Sequence, residues 1–285
     1  MKKLTINRQV EKKIHKGYKI LEKIDFGQLP FDNEVVELVT TSGHFVGTGY
    51  LSEQNKGLGW VISPKKITLD QAYFCHLFAE AKSKRQSYYQ SELDTAFRIF
   101  NQEGDGFGGL TIDLYEDYAV FSIYNAFVYQ IRDLIVAAFQ EVFPEVLGGY
   151  EKIRFKDPGY ESAHLFGQEA PETFCILENG VRYQVFLNDG LMTGIFLDQH
   201  EVRASLVDGL ATGKTLLNMF SYTAAFSVAA AMGGALETTS VDLAKRSREL
   251  SEAHFLANGL ELDQHRFIVM DVFDYYKYAK RHGLT

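Results

Sequence analysis

The chain has 285 residues, which is long for one domain and sufficient for two or three. Hydrophobic residues make up 46% and charged residues 23%, an ordinary globular composition that excludes a disordered or collagen-like chain. The net charge of −8 argues against a protein that coats nucleic acid with its whole surface. No uncharged apolar run approaches the roughly 20 residues of a membrane helix, and the first residues lead into a charged segment. We therefore expect a cytoplasmic protein without a membrane partner.

Cysteine usage excludes two further classes of protein. The chain has two cysteines, Cys75 and Cys175, and neither belongs to a Cys-x-x-Cys pair or a cluster with histidine. This pattern excludes a disulfide framework and structural zinc, so no metal site is expected.

The N-terminal segment is basic although the whole chain is acidic. Lys and Arg outnumber Asp and Glu over residues 1–25, and we single out Lys12, Lys13 and Lys16 as candidate contacts to RNA phosphates. A solvated lysine-rich face without a partner is the alternative that charge alone leaves open.

The first two thirds of the chain alternate between strand and helix patterns. Short apolar runs over residues 34–64, separated by Ser-Gly and Lys56–Gly57 turn signals, predict a small β-barrel. Residues 69–89 have helical spacing and no glycine or proline, which predicts a bridging helix. Strands over 96–100, 110–115 and 118–124 and an amphipathic helix over 127–143 predict an α+β unit that ends in the basic stretch 152–156.

The last third predicts a parallel sheet. Residues 181–186 and 192–197 have strand patterns joined by a turn at 188–190, and a helix is predicted over 199–208. A strict β-α-β-α-β alternation follows, in which parallel strands pack against helices. Its strands are 215–219, 238–243 and 266–270, and its helices are 224–232 and 244–258. The predicted domains are 1–70, 71–176 and 177–285.

Two glycine-containing motifs resemble nucleotide-binding signatures but have the wrong context. Residues 104–109 (GDGFGG) match the dinucleotide pattern, yet a strand follows them, whereas pyrophosphate binding needs the N-terminus of a helix. We therefore predict a turn between strands. The stretch 213–215 (GKT) has only three residues between its glycine and Gly209, and it precedes a strand, so triphosphate binding is rejected.

The best candidate site follows the first strand of the parallel sheet, because ligands of such sheets bind beyond the carboxyl ends of the strands. The segment 220–227 (FSYTAAFS) contains no glycine, which disfavours NAD and FAD. A ligand with an amino-acid end remains compatible, since its carboxylate can be met by helix amides and hydroxyl groups. The expected polar contacts are Asn218, Ser221, Thr223 and Ser227.

Acidic residues end the next two strands. Asp242 lies about twenty residues after the loop, where a carboxylate accepts ribose hydroxyl groups in this topology. Asp271 is placed to accept from an adenine amine, and Val272 or Phe273 to pack on the ring. For either acid alone, a solvated strand end or a helix N-cap is the alternative reading. Their convergence predicts S-adenosylmethionine as the cofactor.

Long motifs carry a family resemblance. These are residues 97–113 (FRIFNQEGDGFGGLTID), 193–203 (TGIFLDQHEVR), 217–230, and 240–242 (SVD). The chain resembles, over nearly its whole length, the bacterial PUA-domain-containing class I S-adenosylmethionine-dependent large-subunit rRNA (cytosine-5)-methyltransferases. The resemblance implies a multidomain α/β and α+β fold with an N-terminal PUA-like RNA-binding barrel, a central α+β domain and a C-terminal Rossmann-like methyltransferase domain.

The resemblance also implies that Phe196, Gln199 and Arg203 border the cofactor, although an ion pair between Asp198 and Arg203 is an open alternative for this segment. The complete predicted cofactor set is Phe196, Gln199, Arg203, Asn218, Phe220, Ser221, Tyr222, Thr223, Phe226, Ser227, Asp242, Leu243, Asp271, Val272 and Phe273.

The chain departs from the family pattern at two places. Ala224 and Ala225 stand where the family usually carries glycine. The sequence also stops at Thr285, before the Asp-Pro-Pro-type motif and the cysteine that attacks cytosine, so we expect the front part of a longer polypeptide with catalytic residues beyond Thr285. Cys75 and Cys175 do not match that catalytic position and are expected to be inert, largely buried thiols.

The predicted function is S-adenosylmethionine-dependent methylation of carbon-5 of a cytosine in large-subunit rRNA. Two alternatives stay open: an RNA-binding protein that keeps S-adenosylmethionine only as a ligand, and a small-molecule methyltransferase. RNA is the expected partner, and a homodimer is left open.

Overall fold

The computed structural model describes residues 1–26, 33–55, 57–156 and 158–284. Lys56, the first residue of a predicted turn, lies outside these ranges. The chain divides into two compact units, Met1–Gln86 with Arg98–Glu169, and Ser87–Phe97 with Ala170–Thr285. The division into three domains stays a prediction.

The first unit begins with a five-stranded sheet in the order β1-β3-β4-β5-β2. Strand β1 is parallel to β3, and the other neighbours are antiparallel. Apolar side chains of the strands and the first helix, among them Ile6, Val10 and Leu38, form its core. The elements are β1 (Lys2–Ile6), α1 (Arg8–His15), β2 (Ile20–Glu22), α2 (Lys23–Phe26), β3 (Val35–Thr40), β4 (Phe45–Gln54) and β5 (Gly57–Ser63).

A second five-stranded sheet has the order β10-β9-β8-β7-β6. The two long predicted helices are each interrupted, because Arg85 and Ile131 leave helical geometry. The elements are α3 (Gln71–Lys84), α4 (Gln86–Tyr89), β6 (Ala96–Asn101), β7 (Leu110–Tyr115), β8 (Tyr118–Ile123), α5 (Ala126–Gln130), α6 (Arg132–Val142), β9 (Gly148–Ile153) and β10 (Ser162–Gly167).

The glycine-rich motif joins two neighbouring strands of this sheet. A short 3₁₀ helix, Gln102–Asp105, follows β6, Gly106 has a φ of 98°, and the chain continues into β7. A strand and no α-helix follows the motif, so the predicted turn between two strands is confirmed.

The second unit contains the β11–β12 hairpin and a parallel sheet in the order β13-β14-β15. The predicted β-α-β-α-β alternation is confirmed, and residues 213–214 precede a strand as expected. The elements are β11 (Phe174–Glu178), β12 (Val181–Val185), α7 (His200–Ser205), β13 (Thr215–Met219), α8 (Ala225–Met232), β14 (Glu237–Asp242), α9 (Ser247–Ala257), β15 (His265–Val269) and α10 (Val272–Arg281).

The predicted strand 192–197 is wrong, because this segment is irregular and β12 pairs with β11 instead. Gly194 has a φ of 98°, outside strand geometry. The helix predicted over 199–208 begins at His200 and changes to a π turn at Leu206. Within the described ranges, no helix has both the length and the apolar character needed to cross a membrane.

Candidate cofactor-binding site

The cofactor loop, residues 220–224, connects β13 to α8 and has an unusual backbone. Phe220, Tyr222 and Ala224 have φ values of 57°, 51° and 58°. Non-glycine residues rarely adopt this left-handed region, and such conformations concentrate at functional sites. Ala224, which is fully buried, occupies a position where the resemblance predicts glycine, and its positive φ gives the physical reason for that preference.

Asp242 holds this backbone in place. The Tyr222 amide donates to Asp242 Oδ2 at 2.8 Å, and the Ala244 amide donates to Oδ1 at 3.0 Å. The Ser221 amide donates to the carbonyl oxygen of Val241 at 3.0 Å. No Lys or Arg among the described residues forms an ion pair with Asp242, and each carboxylate oxygen can accept a second hydrogen bond. The half-buried carboxylate is therefore suited to accept ribose hydroxyl groups.

Large apolar side chains are exposed along the carboxyl edge of the sheet. Phe220 is 69% exposed, Leu243 68% and Phe273 66%, and Phe196 is 50% exposed. The rings of Phe220 and Phe273 lie 6.4 Å apart, and that of Phe196 lies 5.3 Å from Tyr222. Exposed apolar clusters of this kind mark ligand-binding surfaces. They provide flat faces for a purine ring.

The third strand end combines a helix cap with one exposed ring. Asp271 Oδ1 accepts from the amides of Phe273 at 2.9 Å and Asp274 at 3.2 Å, which is the N-cap role left open by the sequence. Val272 is buried against Val241, so its predicted contact with adenine does not fit this structure. Of the two residues predicted to pack on adenine, Phe273 is the one with an accessible side chain.

Three polar side chains predicted to face the ligand have internal partners. Thr223 Oγ1 donates to the Gly194 carbonyl oxygen at 2.7 Å. Ser227 Oγ accepts from Asn218 Nδ2 at 3.1 Å and lies 2.7 Å from Ser240 Oγ. These buried bonds brace the strand–loop–helix junction, which differs from the predicted direct contacts. Phe226 also packs inward, against the cluster of Leu206, Ala211, Ala229 and Ala230.

Arg203 is a buried residue that holds the segment carrying Phe196 in place. It is 1% exposed, and its Nε and Nη2 donate to Glu178 Oε1 and Oε2 at 2.5 and 2.8 Å. Nη2 also donates to the Phe196 carbonyl oxygen at 2.7 Å, as the Gln199 amide does at 3.3 Å. The partner of Arg203 is thus Glu178 instead of Asp198. The predicted border residue Arg203 positions Phe196.

Sequence reasoning missed several supporting residues. Gly194 donates its amide to Tyr222 Oη at 2.9 Å, and burial raises the pKa of Tyr222 to about 12. The ring nitrogens of the buried His254 lie 3.0 Å from the Thr223 carbonyl oxygen and 2.9 Å from that of Gln184, while burial lowers the pKa of His254. A lone histidine or glycine in the sequence carries no signal for such long-range contacts.

The predicted phosphate contacts of the first unit are not equivalent. Lys13 Nζ forms ion pairs with Glu22 at 2.7 Å and Asp25 at 2.8 Å, and hydrogen bonds to Asp25 and Glu22 raise its pKa. Lys12 and Lys16 are exposed. The charge of Lys13 is thus neutralised within the unit, and the other two lysines are more accessible to phosphate.

Neither cysteine belongs to the site. The half-buried Cys75 donates to the Ala138 carbonyl oxygen at 3.7 Å, and burial raises its pKa. Cys175 is exposed on β11, so its predicted burial is wrong. A search of the described ranges finds no group of three or more His, Cys, Asp or Glu residues able to hold a metal ion.

Comparison with known proteins assigns both ends of the chain. Residues 152–284 match the model of S-adenosylmethionine-dependent methyltransferases, and residues 4–64 match that of PUA-like domains. Among solved structures, "A putative sam-dependent methyltransferase from Streptococcus mutans" is 62% identical, with a TM-score of 0.97 over 100% of this chain and 75% of that one. The structure "Crystal structure of SMU.776, a putative methyltransferase complexed with SAH" is also 62% identical, with a TM-score of 0.97 over 100% of this chain and 74% of that one.

Curated relatives agree. "Putative ribosomal RNA large subunit methyltransferase YwbD" of Bacillus subtilis is 42% identical over 100% of this chain and 74% of its own length. "Ribosomal RNA large subunit methyltransferase I" of Aeromonas salmonicida is 33% identical over 86% of this chain and 63% of its own length. The chain thus spans between about three fifths and three quarters of the length of these relatives.

Together these matches define the class as S-adenosylmethionine-dependent methyltransferases that carry a PUA-like domain. The chain belongs to this family, and its two curated relatives are named as ribosomal RNA large subunit methyltransferases. The predicted fold class, enzyme class and cofactor are confirmed at this level.

Proposed function

We propose that this protein transfers a methyl group from S-adenosylmethionine to carbon-5 of a cytosine in large-subunit ribosomal RNA. The observation that carries the proposal is the arrangement of Asp242 beside the exposed Phe220 and Phe273 at the carboxyl edge of the parallel sheet. The names of the two curated relatives support RNA as the substrate.

The residues of the site suit different parts of the cofactor. Asp242 would accept the ribose hydroxyl groups, since its carboxylate already lies against the cofactor loop. Phe220, Leu243 and Phe273 offer exposed apolar surface to the adenine ring. The first backbone amides of α8 would face the methionine carboxylate, because the loop amides of Ser221, Tyr222 and Ala224 are engaged within the protein. The hydroxyl groups of Thr223 and Ser227 are engaged elsewhere as well. Bound S-adenosylmethionine supplies an electrophilic methyl group.

Methylation at cytosine carbon-5 requires a nucleophilic side chain of the enzyme, because this carbon is not reactive enough by itself. A thiolate adds at carbon-6, which makes carbon-5 nucleophilic enough to take the methyl group from the sulfonium of S-adenosylmethionine and leaves S-adenosylhomocysteine. A base then removes the proton from carbon-5, and the thiolate leaves carbon-6, which restores the aromatic ring. Neither Cys75 nor Cys175 lies among the cofactor-site residues, so the proposal assigns this thiolate to neither. The target base must also be unstacked, because an enzyme cannot reach its atoms within a stack.

The decisive test incubates the chain, and the full-length gene product where that is longer, with methyl-labelled S-adenosylmethionine and unmodified large-subunit rRNA. Mass spectrometry of the digested RNA should find the label in 5-methylcytidine. Label in another nucleoside would overturn the choice of atom. Binding of S-adenosylhomocysteine without any RNA label by the full-length gene product would instead favour the non-catalytic RNA-binding protein, and label transfer only to small molecules would exclude an RNA substrate.

A further inference from the structure

The first unit contains a cavity of about 600 Å³ that the methyl-transfer site does not use. It lies at the ends of β4, β8 and β9, with Asn33, Tyr124 and the basic segment 154–156 in its wall. Its size falls within the range of small-molecule and nucleotide pockets.

The polar wall of the cavity is held in one orientation. The buried Ser52 hydroxyl accepts from the Phe127 amide at 3.2 Å and lies 2.7 Å from Asn33 Oδ1, to which it donates. Gln54 Oε1 accepts from Asn125 Nδ2 at 2.9 Å. Because the Asn33 oxygen is engaged, its amide nitrogen is the group that can donate to a ligand. Amide groups fixed in this way can read the edge of a base.

Basic and aromatic side chains alternate along residues 154–156 of the cavity wall, and a cation–π pair outside the wall lies beside Phe155. Tyr124 and Phe155 line the cavity, and Phe155 lies 6.0 Å from the ring of Tyr129. The guanidinium group of Arg132 lies 4.1 Å from the centre of the Tyr129 ring. Rings interleaved with positive charges are the usual means of binding single-stranded nucleic acid.

The charge at the cavity favours an anion. Arg154 and Lys156 are exposed in its wall. The acidic Glu53 of the wall pairs with Lys23, which offsets its charge. Phosphate groups are the anions that accompany an unstacked base.

We propose that this cavity binds one unstacked nucleotide of single-stranded RNA. The base stacks on Tyr124 or Phe155, the amide of Asn33 contacts its edge, and Arg154 and Lys156 contact the flanking phosphates. The inference rests on the proposed RNA substrate and adds a binding position outside the cofactor site.

The test measures fluorescence anisotropy of a labelled 12-nucleotide oligouridylate with the full chain between 50 and 200 mM salt. The Arg154→Gln/Lys156→Gln variant should bind about tenfold more weakly, and its salt slope should fall by about 1.4, since each single-strand phosphate contact contributes about 0.7. Phe155→Leu should lower affinity about fivefold or more with an unchanged slope, because stacking does not release counterions. The matched control, Lys280→Gln/Arg281→Gln, removes the same two charges from α10 and should bind as the unmodified chain does.

Several results would overturn the cavity as an RNA site. One such result is that the unmodified chain does not bind the oligouridylate. Another is that the pocket variants bind it as tightly as the control variant does. Tyr124→Leu replaces Phe155→Leu if the latter fails to give a cooperative thermal transition. Titration with S-adenosylhomocysteine separates this inference from the proposed function. The pocket variants should bind the cofactor product as tightly as the unmodified chain does. Failure of the unmodified chain to bind it would count against the methyltransferase site alone.

Discussion

The glycine-rich turn at residues 102–109 and the cofactor loop at residues 220–224 contrast in sequence and in role. The turn matches a nucleotide-binding pattern and has four glycines, yet its Asp105 pairs with Arg85 and its Phe107 stacks on Tyr50. The cofactor loop has no glycine, yet it has three residues with positive φ and an exposed ring at Phe220.

The turn uses its special residues for packing. Asp105 is buried and accepts from Arg85 at 2.5 Å, Lys84 at 3.0 Å and the Asn101 amide at 2.7 Å. A side chain on Gly108 would overlap the Trp60 indole. Glycine here permits close approach of the backbone to an aromatic ring.

The cofactor loop instead lies against the Asp242 carboxylate at the end of β14, which has no cation partner among the described residues. Among residues within the described ranges, Asp242 accepts hydrogen bonds from backbone amides alone. Glycine count is therefore a poor guide to a ligand site, whereas strained non-glycine backbone beside an accessible carboxylate is a good one.

The largest expected effect is on the support beneath the cofactor loop. Arg203→Ala should destabilise the protein by about 3–5 kcal/mol, because it leaves the buried Glu178 carboxylate unpaired. Denaturant unfolding measures this change. The double variant Arg203→Met/Glu178→Leu should recover most of the stability, and a single variant as stable as the unmodified chain would contradict the role of the pair.

A larger side chain in the glycine-rich turn should destabilise the protein by overpacking. Gly108→Ala should lower the free energy of unfolding by about 1–3 kcal/mol, since the added methyl group displaces the Trp60 indole. The affinity for S-adenosylhomocysteine at a temperature where the variant is folded should not change. A selective loss of that affinity would show that the turn has a ligand role after all.

The Asp242 carboxylate beside the cofactor loop should matter for cofactor binding. Asp242→Ala should weaken binding of S-adenosylhomocysteine by about 1–3 kcal/mol through lost charged hydrogen bonds. Calorimetry measures the affinity, with exposed Asp208→Ala as the control. Equal affinities of the two variants would remove Asp242 from the site.

The carboxylate of the turn should matter for acid stability. Burial raises the pKa of Asp105, but hydrogen bonds from Arg85 and Lys84 outweigh this and leave it below the usual 3.8. Its stabilisation is therefore present above about pH 4 and is lost as the pH falls through the lowered value. Asp105→Asn should cost about 1–2 kcal/mol at pH 7 and less at pH 2; a cost independent of pH would contradict the ion pairing.

The smallest expected effect is the gain in stability when backbone strain at Ala224 is relieved. Ala224→Gly should stabilise the chain by up to about 1 kcal/mol, because glycine adopts the observed φ of 58° without strain, although it adds freedom to the unfolded chain. Thermal unfolding measures the shift. The matched variant Ala230→Gly, in the middle of α8, should instead destabilise. Destabilisation by both would indicate that the backbone of residue 224 is unstrained.

The sequence predicted the parallel sheet of the second unit well. The alternation of apolar strands and helices determines a parallel sheet, and the sheet then determines which strand ends meet. Asp242 and Phe273 could therefore be assigned to one edge before any coordinates. Strand β1 was missed, because Lys2–Ile6 contains two lysines and a threonine among few apolar residues.

Side-chain partners could not be predicted. Thr223 bonds with Gly194 and Arg203 with Glu178, and these contacts depend on how irregular segments fold back on the hairpin. The apolar segment 192–197 has a strand pattern, yet the positive φ of Gly194 and its bond to Tyr222 prevent a strand. Pattern alone does not contain such tertiary contacts.

The most direct measurement of the central claim is calorimetric titration of the chain with S-adenosylhomocysteine and, separately, with NAD. The glycine-free cofactor loop and the accessible Asp242 predict binding of S-adenosylhomocysteine and no binding of NAD. Binding of NAD, or of neither ligand by the chain and by any longer gene product, would contradict the assignment of this edge as a methyltransferase cofactor site.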